Sequence, residues 1–354
     1  MSRVLLDYPH RGAGHCGSGA LRDLLDWAGL GWDGPPDEGL VFGLGGGLGF
    51  AYLRVPGLVP PVYLVGRGGD LEVDLLARLG ATVDLRRTDD PVLGWQWVRD
   101  ELDAGRPVMV WADIAELPYL RVRLQMSRHD IVVIGYDDDE QVAYVVDNDR
   151  EDVQRVPYDA LARARSSRSF PEPTRHATFA TAWPPQLPDL AAVAADAFAA
   201  SAASMRTGGA DLVDRSLLPA GSISGTGLAG VQALADDVAT WADVLDEAPL
   251  ESALRALPVF VEKAGTGGGL FRRLQVACCR DVASRTGSAA SRAAGEAYDL
   301  CAQAWSALGA AAVSDRPLAD RARNSAAAAR SLPTLEQNAA EALQAAADEL
   351  RHPR

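Results

Sequence analysis

The chain has 354 residues, of which 48% are hydrophobic and 23% charged, with a formal net charge of −14. Such a length supports a large core and two domains, and the composition is that of an ordinary globular protein. The acidic balance excludes nucleic acid as the main partner, because phosphate contacts need a basic field.

No apolar run reaches the roughly 18 residues that a membrane span needs, and the first residues lack the long apolar core of a signal peptide. A cytoplasmic protein with no membrane partner is expected. The four cysteines, Cys16, Cys278, Cys279 and Cys301, form no CxxC pair and no His–Cys ligand spacing. Neither a disulfide framework nor a metal site is therefore expected. Lys263 is the only lysine among the 34 Lys and Arg residues.

Taken in order, the chain first offers His15-Cys16-Gly17-Ser18-Gly19 directly before an apolar-periodic run. Leu21, Leu24, Leu25 and Ala28 recur at helical spacing, and Gly29 is placed to stop the helix. A sulfur at a helix N-terminus faces unpaired N–H groups and the positive end of the helix dipole, and both favour thiolate. Cys16 is thus a candidate nucleophile, or else a small buried residue filling space.

Residues 39–52, with Gly45 and Gly46 at their centre, fail the register of a dinucleotide loop and lack a Walker-type lysine. They read as a tight glycine loop, either structural or lining the site near Cys16. Strands are expected at 61–65, 81–85 and 107–111, and helices at 70–79 and 91–104. A buried strand over 129–137 turns through an acidic tip into a partner strand over 141–147. A short helix over 158–164 and a strand over 176–183 follow, and a Pro-rich segment then marks a domain boundary.

Beyond it the pattern is alanine-rich and helical, with helices near 189–205, 226–245, 250–262, 269–284, 291–312 and 334–350. Two domains are expected, 1–185 and 186–354. Between two of the helices runs Lys263-Ala264-Gly265-Thr266-Gly267-Gly268-Gly269, followed by Arg272 and Arg273. It reads either as an anion or carboxylate site using Lys263 and Thr266, or as a flexible connection.

A thiol nucleophile needs a base and an orienting group. Of five histidines, His129 opens a buried strand and Asp147 ends its hairpin partner, so the two ends come side by side. That suits a carboxylate holding an imidazole tautomer. Each residue also has a bland reading, His129 as a satisfied histidine and Asp147 as a turn former.

The order Cys16, His129, Asp147 resembles the papain-like cysteine peptidase superfamily, particularly its bacterial double-glycine-peptidase branch, in which a His-x-Val-Val-Val-x-Gly-Tyr-Asp strand precedes a strand ending in Asp. The glutamine that supplies an oxyanion donor upstream of the cysteine in such enzymes is missing. His10, Arg11 or backbone N–H groups such as that of Gly17 are the candidate substitutes. More specifically, the His15–Arg22 stretch, the glycine segment 42–50, the His129 strand and the 265–273 loop together resemble the butirosin biosynthesis protein H family over roughly residues 10–310.

That resemblance implies an α+β fold: a papain-like cysteine-hydrolase N-terminal domain with an antiparallel sheet, followed by an all-α helical C-terminal domain. It implies acyl transfer in secondary metabolism, because the butirosin protein moves an aminoacyl group from the phosphopantetheine thioester of an acyl carrier protein to an aminoglycoside amine. The implied roles are Cys16 as carrier of the acyl group, His129 as base and Asp147 as its orienting partner. No cofactor beyond the carrier's phosphopantetheine is implied. The implied partners are the acyl carrier protein and a small amine or hydroxyl acceptor. Basic patches for the acidic carrier are expected at Arg121, Arg123 and Arg128, or at Arg272 and Arg273. A papain-like hydrolase and a catalytically inactive binding protein are the alternatives.

Overall fold

The most apolar stretches of the first half form the centre of one sheet. Val108–Ala112, His129–Asp137 and Val142–Val146 are buried along their whole length, as Val- and Ile-rich strands covered on both faces are. The computed structural model describes residues 3–122, 125–209 and 218–352. In it the sheet runs Thr82–Arg86, Thr178–Ala182, Val108–Ala112, His129–Asp137, Val142–Val146, Gln154–Pro157. Arg3–Leu5 is added alongside His129–Asp137, and every pairing is antiparallel. Arg3–Leu5 fits because residue 135 is glycine: a Cβ there would stand 2.3 Å from the carbonyl oxygen of Val4.

Asp137 turns the hairpin by accepting hydrogen bonds from the amides of Asp139 and Glu140 at 3.0 and 3.1 Å. Val132 opposes Val146. Continuing that register places Asp147 across from Ile131, on the same face as His129 and diagonal to it. Helix Pro91–Asp103 contributes Val98 and Leu102 to a core shared with Val110, Ile131, Val133, Val145 and Leu161. Helix Cys16–Trp27 packs on the His129–Asp137 strand.

The chain forms two compact units: residues up to Glu38 with Leu79–Leu187, and Gly39–Arg78 with residues from Pro188 onward. One cut at 185 therefore does not describe the organisation, because residues 39–78 group with the C-terminal part. The reason is strand pairing. Leu48–Arg54 pairs with Val62–Arg67 and with Ile223–Thr226, giving a three-stranded antiparallel sheet. The C-terminal part is accordingly helical but not all-α.

The expected glycine loop over 39–52 is instead a helix, Glu38–Leu44, followed by the strand Leu48–Arg54. Gly39 and Gly43 serve close packing on helix Arg272–Thr286, where a Cβ would come within 2.4 Å of Ala277 Cβ and 2.3 Å of Cys278 Sγ. Four-residue glycine spacing is here the mark of one helix face against another.

The second unit also holds a fully buried ion pair. Arg272 Nε donates to Glu336 Oε1 at 2.7 Å, and Trp305 Nε1 donates to the same oxygen at 2.6 Å. The remaining guanidinium N–H groups donate to the carbonyls of Gly66, Leu270 and Gly49. Removing one partner strands the other charge in the core. Arg272→Met is thus expected to cost about 3–5 kcal/mol in urea-unfolding stability. Among the described residues, no helix is long and apolar enough to cross a membrane.

Candidate active site

The sulfur is held by the loop that precedes its helix. Cys16 is the first residue of Cys16–Trp27, and His15, its N-cap, accepts the Ser18 amide through Nδ1 at 3.2 Å. Glu38 accepts the amides of Gly14 and His15 at 2.9 and 2.8 Å. Ala13 and Asn148 are tied twice, by Ala13 N–H donating to the Asn148 carbonyl at 3.0 Å and by Asn148 Nδ2 donating to the Ala13 carbonyl at 3.1 Å. The residue after Asp147 is thereby fastened to the segment before Cys16.

His10 and Arg11 belong to this clamp. His10 Nδ1 donates to Asp23 Oδ2 at 2.9 Å and Nε2 donates to the Arg150 carbonyl at 2.6 Å. Two acceptors on one ring require both nitrogens to carry protons. Burial opposes that charge, but the bonds to Asp23 and Arg150 outweigh it and raise the His10 pKa. Both nitrogens being engaged, His10 is not the oxyanion donor that its position suggested. The Arg11 amide donates to Asp23 and its guanidinium faces Asp23 and Asp26.

The backbone offers a better source of donors. Of the first helical amides, which lack partners one turn back, that of Ser18 donates to the His15 ring, and Gly19 N–H makes the first helical bond, to the His15 carbonyl. The amides of Cys16 and Gly17 are the remaining pair beside the sulfur.

His129 and Asp147 meet as the hairpin register requires, with His129 Nε2 donating to Asp147 Oδ2 at 2.8 Å. Nδ1 is thus the ring nitrogen left for the sulfur. Partial burial of Cys16 opposes ionisation, but the neighbouring imidazoles of His15 and His129 outweigh it and hold the thiol well below its ordinary pKa. Burial likewise opposes the imidazolium of His129, and Asp147 together with Cys16 holds its pKa well above the ordinary value. The buried Asp147 carboxyl is kept low by His129 and Tyr119. Together these shifts favour a thiolate–imidazolium pair backed by a carboxylate.

Two contacts were not legible in the sequence. Tyr119 donates its hydroxyl to Asp147 Oδ2 at 2.7 Å, and Arg150 Nη2 fixes Tyr119 through its carbonyl at 2.7 Å. Losing one hydrogen bond to a charged group is worth roughly a factor of ten. Tyr119→Phe is expected to lower the turnover number by about that factor with KM unchanged, checked by steady-state kinetics. The second contact is Asp130, whose Oδ2 lies 3.7 Å from Cys16 Sγ.

The remaining expected site residues lie in the second unit, where Gly45, Gly46 and Thr266 have structural occupations. The Gly45 carbonyl accepts from Arg78 Nη1 at 2.6 Å, and Gly46, at φ 65°, lies against the same guanidinium. Thr266 is buried, donating to the Val261 carbonyl and accepting the Gly268 amide. Gly269 N–H points to Glu262 Oε2 at 3.3 Å, so a carboxylate of the chain takes the place expected for an anion. Lys263 is exposed at the end of the π-helical turn Val259–Lys263.

Of the arginines expected to receive an acidic partner, Arg272 is in the core and Arg273 is exposed but paired with Glu262. Arg128 stacks on Trp111 at 4.5 Å and pairs with Glu172. Arg121 is exposed, and Arg123 lies outside the described residues. Among the described residues, no group of three or more His, Cys, Asp and Glu is placed to hold a metal ion.

Residues 15–148, which span Cys16, His129 and Asp147, match the family described as "Butirosin biosynthesis protein H, N-terminal". The chain belongs to the butirosin biosynthesis protein H-like family. Residues 159–343 match "Domain of unknown function (DUF4872)", so the two matches in tandem cover most of this member of the family. The butirosin protein H family is one of antibiotic biosynthesis, a branch of secondary metabolism. No curated protein matches the chain.

Proposed function

We propose that this member of the butirosin protein H-like family is a cysteine acyltransferase of antibiotic biosynthesis on a papain-like scaffold. It takes an acyl group from the phosphopantetheine thioester of a carrier protein and passes it to an amine. The observation that carries the reading is the set of three groups, Cys16 at a helix N-terminus beside His129, which is bonded to Asp147. The family's tie to butirosin biosynthesis supports transfer over peptide hydrolysis.

In the first half-reaction the Cys16 thiolate attacks the thioester carbonyl carbon, and the oxyanion forms against the Cys16 and Gly17 amides. The carbon–sulfur bond to the carrier breaks, and the carrier thiolate leaves with the proton of the His129 imidazolium. The acyl-enzyme and a neutral His129 remain. Exchange of one thioester for another is nearly isoenergetic, so positioning and oxyanion stabilisation suffice. In the second half-reaction an amine attacks the acyl-enzyme, and His129, oriented by Asp147, takes up a proton. Arg121 is an exposed point of contact for the acidic carrier.

Intact-protein mass spectrometry after mixing the full chain with a loaded carrier protein tests this. A mass increment that is discharged faster by added amine, with the amide as product, is the expected result. Release of free acid at a rate indifferent to amine means hydrolysis instead. No increment on Cys16 means that covalent catalysis is wrong.

A further inference from the structure

We propose that His15 is a catalytic residue, its Nε2–H donating a hydrogen bond to the oxyanion that forms when Cys16 attacks an acyl carbonyl. This inference rests on the acyltransferase reading above and adds a side-chain donor to the two backbone amides. His15 immediately precedes the nucleophile, caps helix Cys16–Trp27 and is buried, at 2% exposure. Its imidazole, like that of His129, neighbours the Cys16 sulfur.

The capping bond decides which ring nitrogen carries the proton. The Ser18 amide donates to His15 Nδ1 at 3.2 Å. A backbone amide can only donate, so Nδ1 presents its lone pair and the ring proton sits on Nε2. The Ser18 hydroxyl is 3.0 Å from Nδ1 and 3.2 Å from Glu38 Oε1. Whichever of the two it serves, Nδ1 stays an acceptor. Nε2 itself is closed to solvent, where a hydrogen bond to a charged oxygen is worth more than it is in water.

The backbone holds the ring in place. Glu38 takes the amides of Gly14 and His15 at 2.9 and 2.8 Å. A capping side chain that reaches the third helical amide lies across the open end of the first turn. The Cys16 and Gly17 amides emerge at that same end. Three N–H groups therefore border the place beside the sulfur where a carbonyl oxygen gains charge. The donors are set before substrate arrives, which is what makes such a group effective.

Before attack the negative charge of the nucleophile is on Sγ. As the bond from Sγ to the acyl carbon forms, the carbonyl π pair moves onto oxygen and the charge moves with it. The Nε2–H bond to that oxygen strengthens in the transition state, so it lowers the barrier rather than merely binding the donor. When the oxyanion collapses, the bond from carbon to the leaving sulfur breaks. The proton for that sulfur comes from His129, and His15 keeps its own throughout. One imidazole stabilises charge while the other moves a proton.

Iodoacetamide separates this role from a structural one, because alkylation at its saturated carbon uses the same thiolate and forms no oxyanion. The test measures acylation of the full chain by pentanoyl-pantetheine and alkylation by iodoacetamide at one pH. The thiolate fraction then cancels in the ratio of the two rates. His15→Ser keeps a capping acceptor for the helix but is too short to reach the oxyanion. In it the ratio of acylation to alkylation is expected to fall about a hundredfold. His15→Thr repeats the measurement with a second capping residue if Ser is not tolerated.

An unchanged ratio, including an equal fall of both rates, means that His15 acts only through the thiol or the helix cap. That result overturns the oxyanion role and leaves the acyltransferase reading intact. A wild type that iodoacetamide alkylates but pentanoyl-pantetheine does not acylate overturns both.

Discussion

Cys16→Ala is expected to abolish the acyl-enzyme and to lower acyl transfer by at least about a thousandfold, since a covalent route cannot proceed without its nucleophile. The variant should fold. The sulfur is the first atom beyond Cβ on a half-buried residue, and the loop that holds it is fastened by Glu38, His10 and Asn148 rather than by the side chain itself. Mass spectrometry with loaded carrier checks the first effect and a thermal melt checks the second. A variant that retains transfer would show that the chain only templates its substrates.

Asp147→Asn should have the next largest effect, roughly a hundredfold to ten-thousandfold in turnover, because the imidazole loses both its orienting acceptor and its counter-charge. The change also alters the pH profile. The charged pair exists above the pH at which the thiol ionises and below that at which the imidazolium deprotonates. Asp147 holds His129 well above its ordinary pKa, and His129 helps to hold Cys16 well below its own. Removing the carboxylate therefore lowers the upper limit and, through His129, raises the lower one. Iodoacetamide alkylation of Cys16 followed against pH should show a narrower thiolate–imidazolium window, closed in from both sides. A window as wide as in the wild type would mean that Asp147 is not the group stabilising the imidazolium.

The parts of this site that could be read in advance were those governed by local periodicity. Leu21, Leu24 and Leu25 announced the helix that carries Cys16, and Val and Ile on either side of an acidic turn announced the hairpin joining His129 to Asp147. The missed parts depend on chain returns that no short window contains. Asp130 is hidden because alternation along a strand sends it to the opposite face from His129, although it too reaches the sulfur. Tyr119 lies beyond the 3-10 turn Ile114–Glu116, in a segment without periodic signal. His10 looked like a donor to an oxyanion by proximity in sequence, but the salt link to Asp23 decides its role. Helix Leu318–Ala329 escaped because its buried positions, Ala322, Ser325 and Ala329, are as small and weakly apolar as its exposed ones. The strand Ile223–Thr226 escaped because four residues carry too little alternation to be recognised before their partner is known.

The grouping of residues 39–78 with the C-terminal part makes both units discontinuous in the chain, and this bears on how the protein is made. During synthesis, Leu48–Arg54 emerges long before Ile223–Thr226, the strand that completes its sheet on one side. Phe50, Tyr52 and Leu53, all buried in the finished protein, must wait for that distant segment with an open edge. A fragment ending near residue 185 would retain this hairpin permanently uncovered. The polypeptide is thus better regarded as a single biosynthetic commitment than as two separable modules, and cutting it at the Pro-rich linker should yield aggregate rather than a catalytic domain.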